Sequence, residues 1–408
     1  PSGVNGANAS FQTVESVMDM SRRITGLTGG GSDGWDVYYK ANAMTEAGED
    51  VTHLTIGEHD IKTDRSILDA MHAATLAGHT GYPNLRGRRN LRETIAKRVT
   101  DRTGVATTPD NVLVVPGGQA GLFATHAAAC DDGDRALFID PYYATYPGTI
   151  RGVGAVAVPV AARPENGFMP DPKDLTLEAS KGAASLLINS PNNPTGVVYT
   201  RETMDGIARV VQDHDMWLIS DEVYDTQVWN GEHISARTLP EMADRTLVIG
   251  SMSKSHAMTG SRIGWIIGSE EAIAHIGNLS THTTYGVAGF VQEAAFYALN
   301  KGDAFEAEVA EPFHRRRDLV MDMVEGMNGI RAASPDGAMY VMLDLRETGL
   351  SGEDFALRLL DEYHVAVMPG ESFGKAAAGH VRVALTVDDD NLVGAIGSII
   401  ELATELTA

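Results

Sequence analysis

The stretch SMSKSHAMTGSRIGW, residues 251–265, decides the fold and the chemistry of this chain. The apolar run before it, residues 246–250, predicts the end of a buried strand, so Lys254 is expected to project from that end. Ser253 precedes the lysine, and Arg262 follows eight residues after it. Serine hydroxyls and an arginine fork suit a phosphate dianion. The stretch therefore predicts a lysine beside an anion site at the end of a strand.

A lysine in such a place can form a Schiff base if its surroundings keep it partly unprotonated. The lysine and the anion site together favour a phosphorylated aldehyde cofactor, and pyridoxal phosphate is the economical choice. The alternative is a surface lysine in a serine- and glycine-rich loop, because S-x-S-K is a short and unselective motif. Further motifs must decide between the two.

Size and charge limit the classes of protein that the chain can belong to. With 408 residues, of which 43% are hydrophobic, the chain can bury a core large enough for two domains, or for one domain with appendages. The formal net charge of -23 is spread along the sequence, which argues against a nucleic-acid partner.

Cysteine usage and hydropathy bear on location. Cys130 is the single cysteine, so the chain has no intramolecular disulfide, and no cysteine or histidine cluster has zinc spacing. No metal is predicted. No apolar run is long enough to span a bilayer, and no signal pattern opens the sequence, so we expect a cytoplasmic protein without a membrane partner.

Alternating strand and helix patterns predict an α/β fold with a large, mostly parallel sheet covered by helices and a smaller α+β domain. We expect an N-terminal arm at residues 1–33, with a short helix near residues 15–24. The small domain is assigned residues 34–56 and 300–408, and the large domain residues 57–299. The seven predicted strands of the large sheet are residues 112–116, 135–140, 155–160, 184–189, 217–221, 246–250 and 264–268. Those of the small sheet are residues 338–344, 365–368 and 381–385, and residues 54–57 form a further short strand.

Polar residues end several of these strands, and ligands of open α/β sheets bind at the carboxyl ends of strands. The turn at Gly118 and Gln119 opens a helix whose N–H groups can hold phosphate, although it can also be a plain strand-to-helix turn. Tyr143 can lie flat on an aromatic ring or pack in its loop. Asn193 is one of two adjacent asparagines bracketed by prolines. Asp221 ends an apolar run, where it either pairs with a protonated ring nitrogen or caps a helix.

These motifs together resemble the class I/II aminotransferases, the fold type I pyridoxal phosphate enzymes, from about residue 35 to 405. Such enzymes have an asparagine in an N-P-[TS]-G loop, then D-E-x-Y, then S-x-S-K with an arginine eight residues on. Asn193, Asp221 with Tyr224, and Lys254 with Arg262 match in order and spacing.

The resemblance implies a role for each matched residue. Lys254 would bind the cofactor as a Schiff base and move the proton of the substrate's α-carbon. Asp221 would pair with the pyridine nitrogen, Tyr224 and Asn193 would bond the phenolic oxygen, and Tyr143 would stack on the ring. The residues that would hold the phosphate are Gly118, Gln119, Ser251, Ser253 and Arg262.

Two further matches concern the partner subunit and the substrate. Tyr82, with Gly87 and residues 91–92, matches a family segment that reaches the phosphate of the partner subunit, which implies a homodimer with shared sites. Arg382 lies in a G-x-x-R stretch after P-G-x-x-F-G and would clamp the substrate's α-carboxylate in two hydrogen bonds.

The amino donor is a separate question. Residues 231–235, 242–246 and 253–260 are most similar to the arginine–pyruvate transaminase subgroup. The early loop, usually G-x-P-D, here reads Gly57-Glu58-His59-Asp60. Gly57 and Asn193 are expected beside the substrate. Glu58 and Asp60 either face a basic side chain, which favours arginine as donor and pyruvate as acceptor, or face solvent and cap the next helix, respectively.

Two other functions remain open at this stage. A carbon–sulfur β-lyase of the same fold would use the same lysine. A regulator that keeps this fold to bind an effector is disfavoured, because such proteins carry a fused DNA-binding segment and the part before Trp35 is short and weakly basic. A P-loop enzyme is excluded, since residues 250–255 lack the required spacing.

Overall fold

The computed structural model describes residues 19–29, 34–333 and 335–408. Most of the arm, and most of the helix predicted there, lies outside these residues; the described part of that helix runs over Arg22–Thr25. Among the described residues, no helix combines the length and the apolar character that crossing a bilayer requires.

Helices surround two sheets. The α-helices are α1 (Arg22–Thr25), α2 (Asp36–Glu46), α3 (Arg65–Leu76), α4 (Arg89–Thr103), α5 (Gly117–Ala129), α6 (Tyr146–Gly152), α7 (Pro172–Ala179), α8 (Arg201–Asp213), α9 (Met252–Ser255), α10 (Glu270–Thr281), α11 (Gly289–Leu299), α12 (Asp303–Val324), α13 (Gly352–Tyr363) and α14 (Asp389–Thr407). The strands are β1 (Thr52–Leu54), β2 (Val112–Val115), β3 (Arg135–Asp140), β4 (Val156–Ala161), β5 (Ser185–Asn189), β6 (Trp217–Asp221), β7 (Thr246–Ser251), β8 (Gly264–Ile267), β9 (Arg331–Ala332), β10 (Tyr340–Asp344), β11 (Val365–Pro369) and β12 (His380–Ala384).

The large sheet has the strand order β2-β8-β7-β6-β5-β3-β4. All its neighbouring pairs are parallel except the two that β8 forms with β2 and β7. The prediction of a seven-stranded, mostly parallel sheet is thus confirmed. Because β2 also runs in the common direction, the carboxyl ends of six strands meet at one edge, where Asn189 lies opposite Asp221 in the register.

The small sheet has the order β1-β11-β12-β10-β9, with a parallel pair only between β1 and β11. The three strands predicted for it are present. The strand predicted at residues 54–57 lies slightly earlier, at Thr52–Leu54, and β9 was not predicted. The pairing of β1 with β11 supports the assignment of residues 34–56 to the small domain, although the domain boundaries stay a prediction.

Apolar side chains fill the space around both sheets. Leu54, Phe313, Val341, Phe355 and Ile396 belong to the cluster beneath the small sheet, and all are at most 1% exposed. In the large sheet, the four residues of β2 and the five of β5 are all buried, as expected for strands covered on both faces. The rigid sheet edge therefore holds the residues that end its strands.

Candidate active site

A cavity of about 270 Å³ opens at the carboxyl ends of the large sheet, against the small sheet. It collects residues that are far apart in the sequence. The predicted site residues that line it are Gly57, Glu58, Gly118, Gln119, Tyr143, Asn193, Asp221, Tyr224, Ser251, Ser253, Lys254, Arg262 and Arg382.

Lys254 lies on the short helix α9, directly after β7. Ser251 begins that helix, and its hydroxyl accepts a hydrogen bond of 3.1 Å from the backbone N–H of Ser253. The Lys254 ammonium donates to the carbonyl oxygen of Gly57 and lies 5.9 Å from the centre of the Tyr224 ring. The lysine thus projects from the strand end into the cavity, where its amine contacts a backbone carbonyl and lies over a ring face.

Hydrogen-bond donors converge at one end of the cavity. They are the first-turn N–H groups of α5, the hydroxyls of Ser251 and Ser253, and the guanidinium of Arg262. Gly117 has a φ of 78°, and a Cβ built on it would overlap Nη2 of Arg262, so this position requires glycine. Helix N-termini with an adjacent arginine bind phosphate well. This end of the cavity therefore fits the phosphate of pyridoxal phosphate.

The side-chain amide of Gln119 already forms hydrogen bonds within the protein. Its amide donates to the hydroxyl of Thr149 over 2.7 Å and accepts from that of Thr145 over 2.9 Å. Its backbone N–H, in the first turn of α5, is accordingly the group that can face a phosphate.

Asp221 lies at the end of β6 and is 5% exposed. Its Oδ2 accepts a hydrogen bond of 2.7 Å from the hydroxyl of Tyr146. Burial raises the pKa of the Asp221 carboxyl to about 6. Lys254 acts on this pKa in the opposite direction but more weakly, and among the described residues Asp221 forms no ion pair within 4 Å. A buried carboxylate without a cation suits the protonated ring nitrogen of pyridoxal phosphate.

Arg382 lies on β12 and is 2% exposed. Its Nη1 donates to Oδ1 of Asn193 over 2.9 Å, and its Nη2 donates to the carbonyl oxygen of Thr55. The guanidinium lies 4.5 Å from the ring centre of Tyr340 and 4.4 Å from that of Phe373. Burial lowers the pKa of this guanidinium, and its Nε is buried without a partner. A carboxylate ligand would supply the missing charge.

Three residues that sequence reasoning missed fix this arrangement. Tyr146 donates a hydrogen bond to Asp221, and it lies in the run DPYYATY, residues 140–146, at the end of a predicted strand, which was a usable signal. Tyr340 shares a hydrogen bond of 2.9 Å with Tyr224, and a Cβ on Gly57 would overlap its hydroxyl. The amide of Asn189 accepts from the N–H of Asn193 over 2.8 Å and donates to the backbone carbonyl of Asp221 over 2.8 Å.

Asp60, in the early loop, fits neither of its two expected positions, beside a basic donor side chain or at the start of the next helix. Its carboxylate forms an ion pair with Arg316, at 2.6 Å and 3.0 Å, and does not line the cavity. It does not cap the next helix either, because Asp64 accepts from Ser66 at the start of α3. Glu58 does line the cavity, where it accepts a hydrogen bond of 2.7 Å from the hydroxyl of Thr259. Of these two carboxylate residues, Glu58 therefore lines the cavity and Asp60 does not.

Tyr82 lies outside the cavity. It is 90% exposed, and its ring contacts only that of Tyr285, edge to face, at 5.2 Å among the aromatic neighbours that the structure describes. The predicted contact with a partner's phosphate requires a second chain, so this role stays a prediction.

Comparison with known proteins identifies the arrangement. The family described as aminotransferase class I and II matches residues 49–399. The chain belongs to this family. Members depend on pyridoxal phosphate and move amino groups between amino acids and 2-oxo acids, so the chain is a pyridoxal phosphate-dependent aminotransferase.

Individual relatives agree with this assignment. Arginine–pyruvate transaminase AruH of Pseudomonas aeruginosa is 40% identical over 388 residues, which cover 95% of this chain and 98% of that protein. Aspartate/prephenate aminotransferase of Thermus thermophilus is 37% identical over 86% of this chain and 91% of that aminotransferase. The structure of aspartate aminotransferase from Thermus thermophilus with maleate superposes with a TM-score of 0.88 at 34% identity, covering 94% of this chain and all of that aminotransferase. These relatives favour transamination over the β-lyase alternative.

Proposed function

We propose that this aminotransferase takes arginine or another long basic amino acid as donor and pyruvate as acceptor. The observation that carries the proposal is the position of Glu58, which lines the same cavity as Arg382 and Lys254. The 40% identity to a protein named arginine–pyruvate transaminase points the same way. A carboxylate there can pair with the guanidinium of a donor whose α-carboxylate is held by Arg382.

We assign the roles of the residues as follows. Arg382 binds and orients the α-carboxylate, and Asn193 keeps the arginine fork in place through Oδ1. Nζ of Lys254 removes the proton from the substrate's α-carbon and returns it later, as a general base and acid. Pyridoxal phosphate, when bound, supplies a ring that withdraws the electrons released at that carbon. Asp221 keeps the ring nitrogen protonated, and Tyr146 keeps Asp221 ionised.

The remaining cofactor contacts complete the proposed site. Tyr224 and Asn193 would form hydrogen bonds with the phenolic oxygen of the cofactor, and Tyr143 would cover the face of its ring. Gly118, Gln119, Ser251, Ser253 and Arg262 would hold the phosphate. Borohydride reduction of the holoenzyme is expected to fix the cofactor on Lys254, and a label on another lysine would overturn the assignment.

The size of the donor preference follows from the exposure of Glu58. Glu58 is exposed and bonded to Thr259 in the single chain. An ion pair in such a place contributes at most about 1 kcal/mol, or roughly fivefold in the rate ratio. A donor that buries the carboxylate on binding would raise this preference, because unpaired buried charge is costly.

Half-reaction spectra test the proposal. The holoenzyme is mixed with arginine, lysine, alanine or aspartate, and conversion of the cofactor to its amine form is followed. We expect arginine to react fastest and Glu58→Gln to lower the arginine-to-alanine ratio several-fold. Glu270→Gln is the matched control, since Glu270 is also exposed and accepts a hydrogen bond of 2.9 Å from a threonine, but outside the cavity. Equal or faster reaction of the native enzyme with alanine or aspartate would refute the basic donor.

We further propose a homodimer in which Tyr82 of each chain serves the other chain's site, and a cytoplasmic location. The exposed ring of Tyr82 and the single, free cysteine Cys130 support these two statements, respectively.

A further inference from the structure

A second cavity, of about 520 Å³, lies on the other side of the segment that follows β6. Asp221, the last residue of β6, and Tyr224 line the active-site cavity, whereas Glu222 and Asp225 line the second one. In the described part of the chain the two cavities share no lining residue. The second cavity is therefore a separate space that adjoins the catalytic strand end.

Buried arginines indicate what this cavity can hold. Four arginines among the described residues are less than a tenth exposed: Arg92, Arg237, Arg316 and Arg382. Arg92 and Arg316 form ion pairs with aspartates. Arg237 and Arg382 have no carboxylate within 4 Å in the described residues, and burial lowers the pKa of both guanidinium groups. Arg382 is the proposed carboxylate site of the active centre, and Arg237 lines the second cavity.

The contacts of Arg237 leave most of its guanidinium available. Its Nη1 donates to the hydroxyl of Thr107 over 3.0 Å, and its Nε is buried without a partner in the described residues. Glu222 and Asp244 are the nearby carboxylates; neither forms an ion pair with Arg237 within 4 Å in the described residues, and both oxygens of Glu222 already have hydrogen-bond partners. Oε1 accepts from Ser235 and from the N–H of Ala236, and Oε2 lies 3.1 Å from Nε2 of His233. An unpaired buried arginine is unfavourable, so an anion is expected to complete it.

Other groups of the cavity also have unused hydrogen-bonding capacity. Nδ1 of His233 and the hydroxyl of Thr226 are buried, line the cavity and have no partner among the described residues. The other cavity arginines differ from Arg237, because Arg98 and Arg102 bond Asp225 and Glu306. Arg201, a further cavity arginine, pairs with Asp205. Arg237 is accordingly the cavity arginine without an ion pair within 4 Å in the part of the chain that the structure describes.

We propose that the second cavity is a binding site for a small organic monocarboxylate, whose carboxylate pairs with the guanidinium of Arg237. A single negative charge is favoured over a phosphate dianion, because the carboxylates of Glu222, Asp225 and Glu306 line the same cavity and repel further negative charge. The volume, about twice that of the active-site cavity, admits a ligand of the size of an amino acid or a 2-oxo acid.

Calorimetric titration with acetate tests the site. The active centre also binds carboxylates, so the titration uses the Arg382→Gln holoenzyme, in which that site is weakened. We expect one saturable acetate site per chain, and binding at least tenfold weaker when Arg237→Gln is added. Arg201→Gln in the same background is the matched control. Arg201 lines the cavity but pairs with Asp205, and its loss should change the affinity less than twofold.

Two outcomes would overturn the proposal. One is the absence of saturable acetate binding in Arg382→Gln, and the other is equal binding with and without Arg237. If the Arg237→Gln protein does not fold, a crystal of the Arg382→Gln protein soaked in acetate tests the site instead. Acetate density within hydrogen-bond distance of the Arg237 guanidinium supports the site, and water alone at that place refutes it.

Discussion

The hydroxyl of Tyr146 donates a hydrogen bond of 2.7 Å to Oδ2 of Asp221, and both side chains are buried. This bond favours the ionised carboxyl, against the burial that raises the pKa of Asp221 to about 6. The ionised form is the one that can hold a protonated ring nitrogen. We therefore expect Tyr146 to act on the reaction through Asp221, as a positioning residue.

Tyr146→Phe is expected to lower kcat roughly ten- to hundredfold, since a hydrogen bond to a charged group contributes roughly 1.5–3 kcal/mol. The acid limb of the kcat/KM profile should move to higher pH, because the pKa of Asp221 rises when the bond is lost. Tyr142→Phe is the control, as the Tyr142 ring packs edge to face against Phe138 at 4.9 Å and its hydroxyl does not bond Asp221. An unshifted pH profile in Tyr146→Phe would contradict this role.

Asp221→Asn is expected to stabilise the apoprotein increasingly as the pH rises from 4 to 7. The pKa of the folded protein, about 6, exceeds the ordinary value of 3.8, so folding takes up a proton between these values. The stability linked to Asp221 is thus fully present below about pH 4 and is lost as the pH rises through 6. Two pKa units correspond to about 3 kcal/mol. Urea unfolding across this range measures the difference between variant and native protein.

Asp225→Asn is the control for that experiment. Burial opposes ionisation of Asp225, but Arg98 and Arg102 outweigh it and bring the pKa of the carboxyl to about 2. Its contribution is therefore lost only as the pH falls below about 4. Between pH 4 and 7 the difference from native protein should be constant, and a pH-independent difference for Asp221→Asn as well would contradict the raised pKa.

Arg382→Lys is expected to raise KM for the amino donor about a hundredfold. Lysine keeps the positive charge but cannot form two parallel bonds to a carboxylate, and it does not stack between Tyr340 and Phe373 as a planar group does. Steady-state kinetics with saturating acceptor measure the change. Arg346→Lys provides the comparison, because Arg346 pairs with Asp344 and Glu165 away from the cavity. A KM within threefold of native would mean that Arg382 does not clamp the carboxylate.

Tyr82→Phe is expected to weaken cofactor retention several-fold, through the lost hydroxyl contact to the phosphate in the partner's site. Dialysis followed by absorbance measurement gives the retained fraction, and sedimentation gives the oligomeric state. Tyr39→Phe removes a hydroxyl from another exposed tyrosine, on α2, and should have no effect. A fully active monomer on dilution would rule out shared sites.

The sequence predicted the large sheet well, because strands buried on both faces are continuous apolar runs with clear ends, as at residues 217–221 and 246–250. The residues at those ends, Asp221 and Ser251, were found for the same reason. The contacts of loop residues were harder to predict. Asp60 bonds Arg316, 256 residues away, and no local pattern indicates such a pair.

Tyr340 illustrates a second limit of predicting site residues from the sequence. It lies in the apolar strand β10 and looks like a core residue, and it is indeed 2% exposed. Its importance arises because it meets Tyr224, Gly57 and the Arg382 guanidinium at once, and this depends on how the small sheet lies against the large one. The surroundings of His59 also depend on a residue distant in the sequence: its ring packs against that of Phe313 on α12, with the ring centres 5.0 Å apart.

A Cβ at Gly57 would overlap the hydroxyl of Tyr340, so these two positions are expected to change together during evolution. A substitution at residue 57 alone would displace the tyrosine, and with it the ring that supports the arginine clamp. Tolerated changes at residue 57 are therefore expected to arise together with a smaller residue at position 340. Descendants of this chain that acquire a side chain at residue 57 would then have to change both positions, one in the early loop and one in strand β10, and not the loop alone.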